Sequence, residues 1–417
     1  MAFEGVVLSP ILPHLKINPM NPLVFTKLSV MMFLEYFVWG AWYVTMGFYM
    51  SGYLDSTATQ VGAAYSALAI ATMVSPFFVG MIADRYFAAQ KIMGWMHLVG
   101  GVVLYLATSV SDNLVFYFVI LFYALLYMPT IALSNNIAFQ QMTDPGRQFP
   151  WIRVFGTMGW IVAGLLIGFL GIENSPYTFH MAAIASVALG VISFIMPDTP
   201  PKGKSAKASE ALGSVAFLLF KDRPYLIFFI AAILVCIPLS FYYGFANIFL
   251  NDVGMENAAS KMVLGQFSEA LFILAIPFLF NRIGVKNMLL LGMAAWILRY
   301  ICFAYGNVDM NLWMLYAGII LHGICYDFFF VTGYMYTEKK AGEKIKNAAQ
   351  GLFTFATYGV GMFIGTWFSG LTTDYYTVND QPQWMQIWFV PAFIAVAVLI
   401  YFILFFREKR VISASGQ

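Results

Sequence analysis

Pro197-Asp198-Thr199-Pro200-Pro201-Lys202-Gly203-Lys204-Ser205-Ala206-Lys207, continuing to Arg223, is the one long polar stretch inside an otherwise apolar chain. Before it, apolar runs broken by polar or Pro/Gly clusters fall near 28–50, 60–83, 91–109, 113–139, 150–171 and 178–197. After it they recur near 225–250, 262–280, 286–305, 311–336, 347–370 and 385–406. A helix crosses a bilayer with about 20 apolar residues, so each run is a candidate span. The polar stretch therefore divides the spans six and six. The expected organisation is an N-terminal segment (1–27), a six-helix bundle (28–197), a linker (198–223), a second six-helix bundle (224–407) and a tail (408–417). The expected fold class is an all-α membrane protein with twelve transmembrane helices.

Composition supports this reading. Of 417 residues, 61% are hydrophobic and 10% charged, against about 45–50% and about 25% in soluble globular domains. The mean hydropathy is +0.77. A water-soluble enzyme is excluded on these terms, and no nucleophile–base pair, metal set or phosphate loop is visible in the sequence. The net charge of +2 implies no nucleic-acid partner. Cys236, Cys302 and Cys325 lie in apolar runs without a CxxC pair, so buried free thiols are expected, with neither a metal nor a disulfide framework. Pro10, Pro13, Pro19 and Pro22 interrupt the first residues, and no cleaved leader is expected.

The basic residues orient the chain. With both termini inside, 19 of the 22 lysines and arginines fall in inner segments. Lys261 alone falls in an outer loop, while Arg153 and Arg299 lie within spans. Cytoplasmic loops of membrane proteins carry this excess, so the termini are expected on the cytoplasmic side.

The two halves also resemble each other. Tyr65-Ser66-Ala67-Leu68 of span two is followed by Pro76-Phe77, and Phe267-Ser268-Glu269-Ala270-Leu271 of span eight by Pro277-Phe278. Spans five and eleven are both glycine-spaced, with Gly156, Gly159, Gly164 and Gly168 against Gly359, Gly361, Gly365 and Gly370. Singly, such spacing reads as close helix packing. Repeated at equivalent places, it points to a duplicated transporter whose halves rock about a central site. Gly80-Met81-Ile82-Ala83-Asp84-Arg85, at the inner end of span two, resembles the loop motif of the major facilitator superfamily. The resemblance implies that superfamily's fold, a monomer, and a gating role for Asp84 and Arg85. The usual basic cluster after the motif is thin here, with Lys91 alone nearby.

Five charged residues stand in spans: Glu35, Arg153, Glu269, Arg299 and Asp327. A charge at the centre of a helix in lipid costs about 2.5–3.5 kcal/mol on insertion scales. Two acids can be balanced by the two arginines, which leaves one acid as a proton acceptor. Static pairing is the plain alternative, above all for Arg299 and Glu35. Arg153, Thr157 and Trp160 share one face of span five, a fork, a hydroxyl and an indole suited to a flat polar ligand. Gln266 and Glu269 share a face of span eight. Span ten carries His322, Tyr326 and Asp327, the first two on one face. A lone span histidine is more often an interhelical donor than a proton relay. Aromatic residues make up 18% of the chain, Trp39, Trp42, Tyr43, Tyr242 and Tyr243 among them; most are expected in the core or the interfacial belt and a few stacked on a planar ligand.

Several strings are similar to those of the bacterial nucleoside–proton symporters. They are Phe149-Pro150-Trp151-Ile152-Arg153-Val154-Phe155-Gly156-Thr157, Ser268-Glu269-Ala270-Leu271-Phe272-Ile273-Leu274 and Ala295-Trp296-Ile297-Leu298-Arg299. Trp39-Gly40-Ala41-Trp42, Tyr127-Met128-Pro129-Thr130 and Asp327-Phe328-Phe329 join them, and the resemblance runs from about residue 30 to 407. It implies a permease of the bacterial inner membrane that imports nucleosides with protons, the proton being its coupling ion and no other cofactor being required. By resemblance, Arg153, Thr157, Gln266 and Glu269 line the nucleoside site and Asp327 belongs to the essential acids. Trp160, Ser240, Tyr243, His322 and Tyr326 are further substrate-site candidates, and Glu269 and Glu35 join Asp327 as proton-coupling candidates.

This chain departs from the family pattern at several places. Ser240 and Tyr243 stand where a glutamine and an asparagine are usual, and His322 where a tyrosine is. Phe330 replaces an asparagine, and Glu35 replaces a glutamine. These departures keep a second cargo open, a sugar, amino-sugar or cell-wall fragment carried by the same fold and coupling. A receptor that binds without transporting is a third reading, opposed by the intramembrane charges.

Overall fold

The computed structural model of the chain describes residues 20–78, 87–201 and 214–407. In the first half these form α1 (Pro22–Trp42), α2 (Met46–Tyr53), α3 (Ala58–Phe78), α4 (Ala89–Ala107), α5 (Asn113–Gln140), α6 (Pro145–Leu170) and α7 (Tyr177–Ser193). The second half holds α8 (Arg223–Asp252), α9 (Ala258–Tyr305), α10 (Leu312–Ile320), α11 (His322–Tyr326), α12 (Thr332–Thr354), α13 (Met362–Tyr375) and α14 (Trp384–Phe405). Short π-helical segments, Asp327–Val331 and Phe355–Gly361, precede α12 and α13. One small ribbon, Thr377–Val378 against Gln381–Pro382, joins α13 to α14.

Local chemistry sets the ends of these helices. Asn21 accepts the Leu23 N–H ahead of Pro22, whose missing donor is harmless at a first helical position. Asp112 accepts from Leu114 and Val115 at the start of α5. Two of the expected loops are nearly absent. The long α9 turns at Gly284 (φ 77°) and α12 at Gly342 (φ 64°), a left-handed backbone that glycine adopts without steric cost. The 48-residue α9 is therefore two passes joined by a one-residue break, and the 23-residue α12 joins the end of one pass to the start of the next.

Eight helical stretches among the described residues are long and apolar enough to cross a membrane. Tyr177–Ser193 is apolar but shorter. The chain passes up and down, and at one end of the bundle Lys27 Nζ on the Ile195 carbonyl and Gln90 on Asp198 tie α1 and α4 to the segment after α7. The far end gathers the α2–α3, α6–α7, α8–α9 and α13–α14 connections.

Within the first half α1 packs on α6 and α4 on α7; within the second, α9 packs on α14 and α8 on α13. The halves meet where α3 touches α13 and α6 touches α9. Close approach is the rule at these seams. A Cβ on Gly159 would collide with the backbone carbonyl of Phe33 on α1 and lie 3.1 Å from the Phe37 nitrogen. Backbone cannot yield as a side chain can, so Gly159→Ala is expected to force α1 and α6 apart and destabilise by about 1–3 kcal/mol. Thermal unfolding in detergent checks this, and an unchanged midpoint would refute it.

Candidate functional site

Between the halves lies a narrow gap bordered by Gly40, Trp160, Tyr242, Tyr243, Met262 and Gln266. Four helices build it: α1 and α6 from the first half, α8 and α9 from the second. Its walls are aromatic. The Trp160 ring lies 5.5 Å from Trp39, and Tyr43 sits 5.5 Å from Tyr243 across the seam.

The α6 face behaves as its spacing suggests. Trp160 reaches the gap, and Thr157 lies half-buried one turn earlier. One turn further, Arg153 is half-buried with its guanidinium carbon 4.0 Å above the Tyr36 ring. Stacking there fixes the arginine plane while leaving its edge free to meet a ligand. Tyr36 was not singled out in the sequence, because nothing local ties it to a residue over a hundred positions away.

On α9, Gln266 borders the gap and Glu269 follows a turn later, half-buried, its Oε2 3.9 Å from His322 Nε2. His322 is buried, stacked at 5.0 Å on Tyr242, and its Nδ1 lies 3.2 Å from Arg299 Nη1. Arg299 is buried too, its guanidinium 3.4 Å over Tyr242. The Arg299 Nε and Nη2 find no hydrogen-bond partner among the described residues. Glu269, His322, Arg299 and Tyr242 thus form one chain of contacts beside Tyr243. Tyr326 stacks toward His322 at 5.8 Å and shares a hydrogen bond with Tyr358.

Asp327 differs from every other acid here. It is fully buried, and neither carboxyl oxygen has a hydrogen-bond partner among the described residues. It opens the π-helical segment Asp327–Val331, a wide turn of the kind that marks functional sites in helices. Gly292 of α9 lets that segment come close, since a Cβ there would lie 3.0 Å from the Phe329 nitrogen.

Glu35 is built quite differently. Its Oε2 lies 2.9 Å from His97 Nε2, its Oε1 accepts from Thr130 at 2.7 Å, and Tyr127 donates to its backbone carbonyl. His97 in turn contacts Ser186 at 3.1 Å. Four helices of the first half are tied by this cluster, α1, α4, α5 and α7. Sequence reasoning missed His97 as the partner; the signal available was a single histidine in an apolar span whose half also carries a span carboxylate. Ser240 is likewise set apart from the gap. Its hydroxyl donates to the Ile237 carbonyl at 2.6 Å, and it packs against Gly365 inside the second half. Asp84 and Arg85 lie outside the described residues.

Among the described residues no group of three His, Cys, Asp or Glu side chains has the arrangement to hold a metal ion. Taken together, an amide and several ring faces border the gap, an arginine and a carboxylate follow within two turns on α6 and α9, and the second half holds an unpartnered acid. That set suits a neutral, planar, hydroxyl-bearing molecule and a proton.

Comparison with known proteins adds the following. The sequence model of the nucleoside H+ symporter family matches residues 23–411. The chain is 41% identical to the putative nucleoside transporter YegT of Escherichia coli K12, covering 92% of this chain and 94% of that one. It is 38% identical to the xanthosine permease of the same organism, covering 92% and 95%. The crystal structure of the nucleoside transporter NupG superposes with a TM-score of 0.86 at 32% identity, covering 93% of this chain and all of that one. A POT family transporter bound to 5-aminolevulinic acid shares the fold alone, at TM-score 0.71 and 13% identity.

Proposed function

Because the chain belongs to the nucleoside H+ symporter family, we propose that it is a multi-pass permease carrying nucleosides inward with protons by alternating access. Twelve spans, both termini on the cytoplasmic side of the bacterial inner membrane, and a monomer complete the reading. The proton is its coupling ion, with no other cofactor.

The observation that carries the mechanism is Asp327, buried in the second half with neither carboxyl oxygen partnered among the described residues. A carboxylate there is costly in its charged form and gains most from a proton. Glu269, with His322 and Arg299 in contact behind it, is the second acid placed to feel that change. Arg153 and Gln266 offer hydrogen bonds to the edges of a base or to ribose hydroxyls, and Trp160 or Tyr243 a face for stacking. Glu35 we assign to structure, since the cluster around His97 already satisfies its carboxylate.

Uptake of labelled uridine and adenosine into proteoliposomes tests the function. Accumulation above equilibrium with an inward proton gradient, abolished when the gradient is collapsed, is expected. No uptake of either by folded protein would move the cargo to the sugars, on account of Tyr243 and His322. A base stacked on an aromatic ring gains about 1–3 kcal/mol. Trp160→Ala is accordingly expected to weaken nucleoside binding by roughly tenfold. Calorimetric titration reads this directly, and an unaltered Kd would remove Trp160 from the site.

A further inference from the structure

Among the described residues six hydrogen bonds join the two halves at the far end of the bundle, and two carboxylates make five of them. Asp374, in the last turn of α13, accepts from the Ala58 and Thr59 N–H groups at the start of α3, both at 2.8 Å. Glu173, just beyond α6, accepts from the Ala259 N–H at the start of α9 at 2.9 Å. It also accepts from Asn251 at 3.2 Å and Asn247 at 3.4 Å, both on α8. Each acid therefore reaches from its own half to the first turn of a helix in the other.

The two arrangements are the same device built twice. Asp374 follows Gly370 by four residues, and Glu173 follows Gly168 by five. At Gly370 an added Cβ would lie 2.7 Å from the Ala58 carbonyl oxygen and 2.9 Å from the Thr59 Cα. At Gly168 it would strike the Ser260 hydroxyl. In each case a glycine lets the opposing helix start pass close, and an acid one turn later takes up its free N–H groups. Helix starts leave such donors without intrahelical partners and carry partial positive charge, so a carboxylate binds them well. Being at the end of the bundle, donors and acids alike can return to water when the halves part. Ser260 adds a bond to the Gly164 carbonyl at 3.3 Å.

We propose that Glu173 and Asp374 are paired latches that hold this structure closed at the end opposite the start of α1, and that each transport cycle requires both to release. They are positioning residues, acting on access to the site and not on the substrate. The inference rests on the alternating-access reading above. With the termini cytoplasmic, the latched end is the outer one, so the structure is an outward-closed state.

Two measurements test the latches. In the first, Cys236, Cys302 and Cys325 are replaced by Ser and Val263, on the gap wall beside Gly164, by Cys. Labelling of that cysteine by a membrane-impermeant maleimide reports opening and needs no substrate. Glu173→Gln and Asp374→Asn keep size while removing charge. Each is expected to speed labelling by about tenfold and the pair by more, the scale set by loss of one charge-assisted hydrogen bond. Unchanged labelling, with or without a lowered unfolding temperature, would make both acids static helix caps and overturn the proposal. In the second, Thr59→Cys and Asp374→Cys are cross-linked in vesicles whose nucleoside uptake has first been measured. Uptake lost on cross-linking and restored by reduction supports a contact that must open. Uptake that persists after complete cross-linking contradicts it. Absence of uptake before cross-linking would instead count against the nucleoside reading, leaving the labelling result to decide the latches.

Discussion

Asp327→Asn is expected to abolish gradient-driven accumulation while leaving nucleoside exchange across the membrane in place. Asparagine matches the protonated acid in shape and neutrality, so the site should still form and turn over with nucleoside on both sides. What it cannot do is bind and release a proton. An interior-negative potential of 100 mV contributes about 2.3 kcal/mol per proton carried, and one pH unit about 1.4 kcal/mol. Their sum sets a ceiling of several hundred-fold accumulation for one proton per nucleoside. The variant should fall from that regime to a ratio near one. Parallel assays of uptake with an imposed gradient and of counterflow without one separate the two behaviours. Loss of both would mean that Asp327 holds the fold, and retention of both would move the coupling to Glu269.

The second large effect is on stability. His97→Leu removes the group 2.9 Å from a carboxylate that is fully buried, leaving Thr130 as the one side-chain donor to Glu35 among the described residues. Breaking a buried pair from one side costs about 3–5 kcal/mol, because the remaining charge stays uncompensated. Glu35→Gln removes that charge. In the Glu35→Gln background the same His97→Leu change should cost much less, with a coupling of roughly 0.5–3 kcal/mol between the two positions. Thermal or denaturant unfolding of the four proteins closes the cycle. Equal losses in both backgrounds would show that the two side chains act independently. Since both lie within the first half, the surviving folded fraction of His97→Leu should still accumulate nucleoside.

Much of the architecture follows from short-range patterns. Apolar runs place the helices to within a few residues, and the three-to-four-residue spacing of Arg153, Thr157 and Trp160 puts them on one face of α6 as expected. Gln266 and Glu269 are legible for the same reason. What could not be read depends on partners far away in sequence. Tyr36 under Arg153, His97 beside Glu35, and Arg299 against Tyr242 and His322 are tertiary pairings that no local spacing encodes. Ser240 was a candidate because it stands where the resembled family places an amide; its hydroxyl is satisfied one turn back on its own helix, a competition common for this side chain. The breaks at Gly284 and Gly342 were hidden inside polar inter-span segments that read as loops. Glu173 and Asp374 were passed over because an acid at the end of a span ordinarily faces water. Only the packing of α6 on α9 and of α13 on α3 shows where those two carboxylates go.

The central claim is that nucleoside and proton cross together. Purified protein in vesicles loaded with a pH-sensitive dye, with no pH gradient and an interior-negative potential, tests it most directly. Adding uridine outside is expected to acidify the lumen at a rate that follows uridine entry, and Asp327→Asn should enter uridine without acidification. Uridine entry into wild-type vesicles with no change in lumenal pH would contradict the account.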